Sequence, residues 1–227
     1  KRDSFDGIST QEITKALTMA SKAYIERDIE YSFFTARLLL DSIYREVFVD
    51  KFNEEDFEKR YKSSFVDNLN RGVEAKRINP ELLTYNLEAI TEALEPAHDH
   101  ELTYLGLQTL YDRYFIHINE DKIEAPQHFW MRVSMGLALA EKKEDREARA
   151  IQFYQVLSQL RFISSTPTLF NAGTTHSQLS SCYLSTITDS LDHIFKVVSD
   201  NAQLSKWAGG IGNDWTNVRA TGSQIHG

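Results

Sequence analysis

"LSSCYLSTIT" (179–188), "DSLDHIFKVVSDNAQLSKWA" (189–208) and "GGIGNDWTNVRATGS" (209–223) are three consecutive stretches whose reading decides the fold. The first reads as a strand. The second reads as a helix, with Asp192 in its first turn and Lys206 in its last, where each suits the helix dipole. Thr188 or Asp189 stands where a cap is expected. The third is a glycine turn entering another strand. Strand, helix, turn, strand is the pattern of a parallel β-α-β unit. Just upstream, "SSTPTLFNAGTTHSQ" (164–178) reads as a loop. Six of the ten glycines fall between Gly173 and Gly227, so this α/β texture is confined to the last part of the chain.

Upstream of residue 164 the texture is helical. Ser9 and Glu12 form a Ser-x-x-Glu capping box ahead of an amphipathic stretch ending near Arg27. "YSFFTARLLLDSIYREVF" (31–48) places Phe34, Leu38 and Val47, with Leu39 and Ile43, at roughly helical spacing. "EEDFEKRYKSSFVDNLNRG" (54–72) ends at Gly72, a candidate left-handed stop. Asn79-Pro80 opens a further helix as cap and first turn. "ELTYLGLQTLYDRYF" (101–115) precedes a short extended piece, "FIHIN". Pro126 starts "QHFWMRVSMGLALAEKK", and "DREARAIQFYQVLSQLRF" (145–162) follows a charged turn. The expected organisation is therefore a helical domain over residues 1–163 and the start of an α/β domain over 164–227.

Composition narrows the function classes. The 227 residues carry a net charge of −8, which argues against broad attraction to nucleic acid or an anionic membrane. The apolar runs are too short to span a bilayer, and "KRDSFDGIST" resembles no signal peptide. Cys182 is the one cysteine, so no internal disulfide is available and a cytoplasmic setting is expected. The Lys start and the loop-type ending "TGSQIHG" suggest a piece of a longer protein.

Individual motifs are weak when taken singly. Cys182 alone reads first as a small buried hydrophobe. Gly209-Gly210-x-Gly212 permits close backbone approach but is followed by no Gly-Lys-Ser/Thr, and it lies after a helix rather than after a strand. The histidines show no metal-ligand spacing. His98 and His100, in an acidic loop, read as solvated. Trp207 and Trp215, on either side of the glycine turn, read as packing anchors.

Their order is more specific than any one of them. "STPTLFNAGT", "QLSSCYL", "DSLDHIF", "AGGIG" and "VRATGSQIHG" together closely resemble the large (α) subunit of ribonucleotide reductase, and residues 1–160 resemble that subunit's N-terminal helical domain. The resemblance implies a mixed α and α/β fold: a mainly helical N-terminal domain, then the start of a ten-stranded α/β barrel that is incomplete in this chain. It implies radical-based reduction of ribonucleoside diphosphates to deoxyribonucleotides for DNA synthesis, with allosteric dNTP or ATP control. Cys182 matches the first cysteine of the reducing pair, whose partner lies outside this chain. Thr166, Ser181 and Gly210 match substrate-contacting positions. Asp189, Ser190 and Leu191, with Lys206 and Arg219, match the dNTP effector site, Asp189 bonding the sugar hydroxyl. His226 stands where some members carry arginine.

Further expectations follow from the same resemblance. They are a homodimer joined near the effector-site helix, a separate radical-generating, metal-containing β subunit, and re-reduction by thioredoxin or glutaredoxin. This chain itself binds no metal or cofactor on that reading, and alone it reduces no nucleotide. Two other readings share these residues. One is a split nucleotide-binding or assembly module that works only with a second polypeptide; the other is a helical scaffold with an unrelated α/β tail.

Overall fold

The computed structural model describes residues 7–48, 56–206 and 209–224. Trp207 and His226, named above, lie outside them. The chain forms two compact units: residues 1–163 with 172–177, and residues 164–171 with 178–227.

The helical unit opens with α1 (Thr10–Lys22), whose capping box forms as expected. Ser9 Oγ accepts from the Glu12 N–H at 3.2 Å, and Glu12 Oε2 accepts from the Ser9 N–H at 2.9 Å. These bonds hold the exposed Glu12 carboxyl below its ordinary pKa. Helix α2 (Glu30–Val47) buries Ala36, Leu40, Ile43, Tyr44 and Val47, while Phe34, part of the same apolar spacing, is 54% exposed. The run "FFTARLLL" is apolar on more than one face, so spacing alone does not choose the inward one.

Helix α3 (Phe57–Glu74) continues past Gly72, contrary to the expected stop there. The left-handed position falls to Lys76, with φ of 55°. Gly72 serves a close approach instead, because a Cβ there would lie 2.4 Å from Ile78 Cδ1. Asn79 caps a short 3-10 turn, Pro80–Thr84, with Oδ1 accepting from the Glu81 N–H at 2.9 Å.

After α4 (Leu87–Glu92) and the 3-10 turn Pro96–Glu101 come α5 (Tyr104–Thr109) and a π turn, Leu110–Tyr114. A small antiparallel ladder pairs β1 (His117–Ile118) with β2 (Asp121–Lys122). Helix α6 (Pro126–Ala138) is buried along almost its whole length, and α7 (Arg146–Ser158) packs against it.

The polar residues of α6 are satisfied internally. Arg132 Nε meets Glu124 Oε1 at 2.6 Å, and its NH1 donates to the Ala172 carbonyl at 2.7 Å. Gln127 Nε2 donates to Asp99 Oδ1 at 2.8 Å, and the Tyr44 and Tyr61 hydroxyls donate to Asp99 Oδ2 at 2.7 and 2.9 Å. Desolvation raises the Asp99 carboxyl to about 6 against the pull of those bonds, and burial lowers His128 to about 4. His100 is exposed, as expected. His98 is not fully solvated: it is half-buried, and its Nδ1 is enclosed without a hydrogen-bond partner among the described residues.

In the second unit, the stretch read as a loop contains a short helix, α8 (Thr166–Asn171). Pro167 accounts for it, since proline's fixed φ suits the first turn of a helix and its missing N–H costs nothing there. The β-α-β expectation holds: β3 (Cys182–Thr186) pairs in parallel with β4 (Gly210–Asp214), with α9 (Leu191–Lys206) between them. Trp215 is 47% exposed and anchors no core in this unit.

Candidate functional site

Strand β3 separates its side chains by alternation. Tyr183 and Ser185 are half-buried, and Ile187 just beyond the strand is buried. Cys182, Leu184 and Thr186 are exposed, Leu184 by 87%. The thiol is therefore free and on the open face. Directly opposite it in the parallel register is Gly210.

The Gly210 N–H donates to the Ser181 carbonyl at 2.7 Å, locking the start of the two strands together. A Cβ at position 210 would lie 3.1 Å from that carbonyl and 3.6 Å from Cys182 Sγ. Glycine there keeps the space beside the thiol clear. Ser181 Oγ is 3.7 Å from the same sulfur. Ser181, Cys182 and Gly210 are thus brought together. Thr166 is exposed at the start of α8, and α8 is tied to the approach to β3. Thr168 Oγ1 donates to the Leu179 carbonyl at 3.1 Å, and Asn171 Nδ2 to that of Gln178 at 2.7 Å.

A second cluster gathers at the other end of the strands. Arg219 Nε donates to Asp189 Oδ2 at 2.7 Å, and its NH1 to the Gln224 carbonyl at 3.0 Å. The Asp189 carboxylate therefore engages Arg219 rather than capping α9, which begins two residues later. Asp214, at the end of β4, accepts the Ile187 N–H on its carbonyl at 2.9 Å. Its carboxylate accepts from both the N–H and the hydroxyl of Thr216, bonds that hold it below the ordinary carboxylate range.

Ser190 and Leu191 adjoin this cluster, Leu191 being 70% exposed. Lys206 does not. It closes α9 fifteen residues after Leu191, about 22 Å away along a helix axis. One copy of α9 thus separates Lys206 from Asp189. Two features of this region went unread in the sequence. The first is the apolar row Leu191, Phe195 and Val198, exposed by 70, 64 and 52%, although its i, i+4, i+7 spacing was visible. The second is the ring of His193, whose contact is non-repeating and leaves no sequence signal. Among the described residues no cluster of His, Cys, Asp or Glu could hold a metal ion.

Comparison with known proteins assigns the family. The family model described as "Ribonucleotide reductase, all-alpha domain" matches residues 100–177, and "Ribonucleotide reductase, barrel domain" matches residues 180–227. The chain belongs to the ribonucleotide reductase family. The ribonucleoside-diphosphate reductase subunit alpha of Chlamydia muridarum is 50% identical over 224 residues, covering 98% of this chain and 21% of that protein. The Helicobacter pylori (strain ATCC 700392 / 26695) subunit alpha is 37% identical, covering 98% of this chain and 27% of that protein. The large subunit of Monkeypox virus is 30% identical, covering 98% and 28% respectively. The chain therefore spans between a fifth and a third of the length of these relatives. Among the described residues no helix is long and apolar enough to cross a membrane.

Proposed function

We propose that this chain supplies the helical domain (1–163) and the first strands of the catalytic barrel (164–227) of a ribonucleoside-diphosphate reductase α subunit. Cys182 is the first member of the reducing dithiol. Two thiols become a disulfide while the 2′-hydroxyl of the ribonucleotide leaves as water and a hydrogen takes its place, so two electrons and two protons balance. The observation that carries this reading is the exposed thiol on the open strand face, with Gly210 opposite it in the parallel register and no side chain there to cover it. Ser181 and Thr166 join it in contacting substrate. A single cysteine cannot close a disulfide by itself, so the 227-residue chain alone turns over no nucleotide.

Asp189, Ser190, Leu191 and Arg219 hold a dNTP or ATP effector, Arg219 facing its phosphates. Lys206 serves the same nucleotide across a two-fold axis. Pairing two α9 helices antiparallel covers the Leu191–Phe195–Val198 row and brings Lys206 of the partner subunit toward Asp189. A radical-generating, metal-containing β subunit and thioredoxin or glutaredoxin complete the cycle, in the cytoplasm.

The test is diphosphate reduction by the full-length subunit with its β subunit, wild type against Cys182→Ser. Multiple turnover falls by at least about 1,000-fold in the variant, since a hydroxyl cannot replace a thiol in the exchange, while dTTP binding persists. Unchanged turnover overturns the assignment of Cys182.

A further inference from the structure

The turn between β3 and α9 is held at two points. Its first residue, Ile187, donates its N–H to the Asp214 carbonyl at 2.9 Å. Its second, Thr188, donates its N–H to Nδ1 of His193 at 3.1 Å. The Ser190 N–H then closes the turn on the Thr188 carbonyl at 2.8 Å. Asp189 lies between these ties, its carboxylate aimed at Arg219. An imidazole that accepts at Nδ1 is neutral and carries its proton on Nε2. His193 thus acts on the backbone that presents Asp189 and not on its carboxylate.

We infer that His193 is a positioning residue for nucleotide binding at the Asp189–Arg219 cluster, acting through the hydrogen bond from the Thr188 N–H to Nδ1. This rests on the reading of that cluster as the effector site. The ring reaches back from the first turn of α9 and fixes the one peptide N–H between the strand tie and Asp189. Removing the acceptor leaves the Thr188 N–H to water and frees the Asp189 backbone to reorient. The loss of one exposed hydrogen bond corresponds to a roughly fivefold weakening of nucleotide binding.

The experiment measures dTTP dissociation constants by calorimetry on the full-length subunit, for wild type, His193→Ala, His193→Leu and His193→Asn. The Asn side chain matters because its Oδ1 takes the place of Nδ1 as an acceptor at the same distance from the backbone. His193→Ala and His193→Leu weaken dTTP about fivefold, and His193→Asn returns it to within about twofold of wild type. Hydrogen exchange at the Thr188 amide follows the same split, fast in the first two variants and protected in the third. A dTTP constant unaltered in His193→Ala overturns the inference alone. Equal weakening in all three variants overturns the acceptor role in favour of ring packing. Wild-type protein that binds no dTTP removes the effector site itself, and this inference with it.

Discussion

The helical unit and the β-α-β unit use polar side chains in opposite ways. In the first, Asp99, Gln127, His128, Arg132 and Glu124 are fully or nearly fully buried, and each is met by partners at least eight residues away in sequence. In the second, Cys182, Asp189, Lys206 and Arg219 are exposed, and the partners of Asp189 and Arg219 are each other and one carbonyl. A buried hydrogen bond fixes packing, whereas exposed donors and acceptors stay available to a ligand. The helical unit is a scaffold whose polar groups are consumed by its fold. The β-α-β unit presents these four at its surface.

The sharpest way to break this contrast is to remove half of the buried ion pair. Glu124 also accepts the Ile116 N–H at 2.8 Å, so it joins α6 to the segment before β1. Glu124→Gln leaves the Arg132 guanidinium buried and uncompensated. It is expected to destabilise the chain by about 3–5 kcal/mol, read as a lower urea midpoint with an unchanged slope. A loss below about 1 kcal/mol would show the pair to be as dispensable as one on the surface.

The next effect is smaller and depends on pH. Asp99 is raised from 3.8 to about 6, so the fold favours its neutral form. That contribution is complete below 3.8 and is lost as pH rises through about 6. His128 is lowered from 6.5 to about 4, and the fold again favours the neutral form. Its contribution is complete above 6.5 and is lost as pH falls through about 4. Each is worth on the order of 3 kcal/mol. Between about pH 4 and 6 their slopes oppose, so the wild type hides both. Relative to wild type, Asp99→Asn loses stability as pH falls through that window, and His128→Gln gains it. Urea titrations at several pH values check this, and parallel curves for all three proteins would refute it.

The same contrast explains what the sequence reveals. Regular elements follow from local rules: the Ser9–Glu12 box, the Pro126 start and the spacing of strand, helix and glycine turn are all legible. Strand alternation does not say which side of β3 faces outward: Cys182, read alone as a small buried hydrophobe, is exposed together with Leu184. Gly72 misleads because the sequence cannot distinguish a left-handed stop from a place where Ile78 must come close. The inward polar face of α6 is illegible for a related reason. Gln127 and His128 look like solvent residues until Asp99 and the Tyr61 carbonyl, 28 and 67 positions away, are packed beside them. The candidate site is more legible than the core, since its residues cluster in short motifs. The exception is the distance between Asp189 and Lys206, which appears only when α9 is built at full length.

That distance leads to the smallest expected effect on folding. Phe195 is 64% exposed in the middle of the apolar row of α9, whereas Val197 on the other face is 5% exposed and packed. If the row serves a second copy, Phe195→Asp changes the stability of the single chain by no more than about 0.5 kcal/mol, as surface substitutions do. The same change sets two carboxylates against each other across an antiparallel pair of helices, so the full-length subunit shifts from dimer to monomer in sedimentation. Nucleotide affinity at the Asp189–Arg219 cluster then falls, because Lys206 of the partner subunit is no longer supplied. A variant that unfolds the β-α-β unit would instead show Phe195 to be part of its core. One that stays dimeric with unaltered dTTP affinity would show that Lys206 acts without a partner, and the separation along α9 would then need a different account.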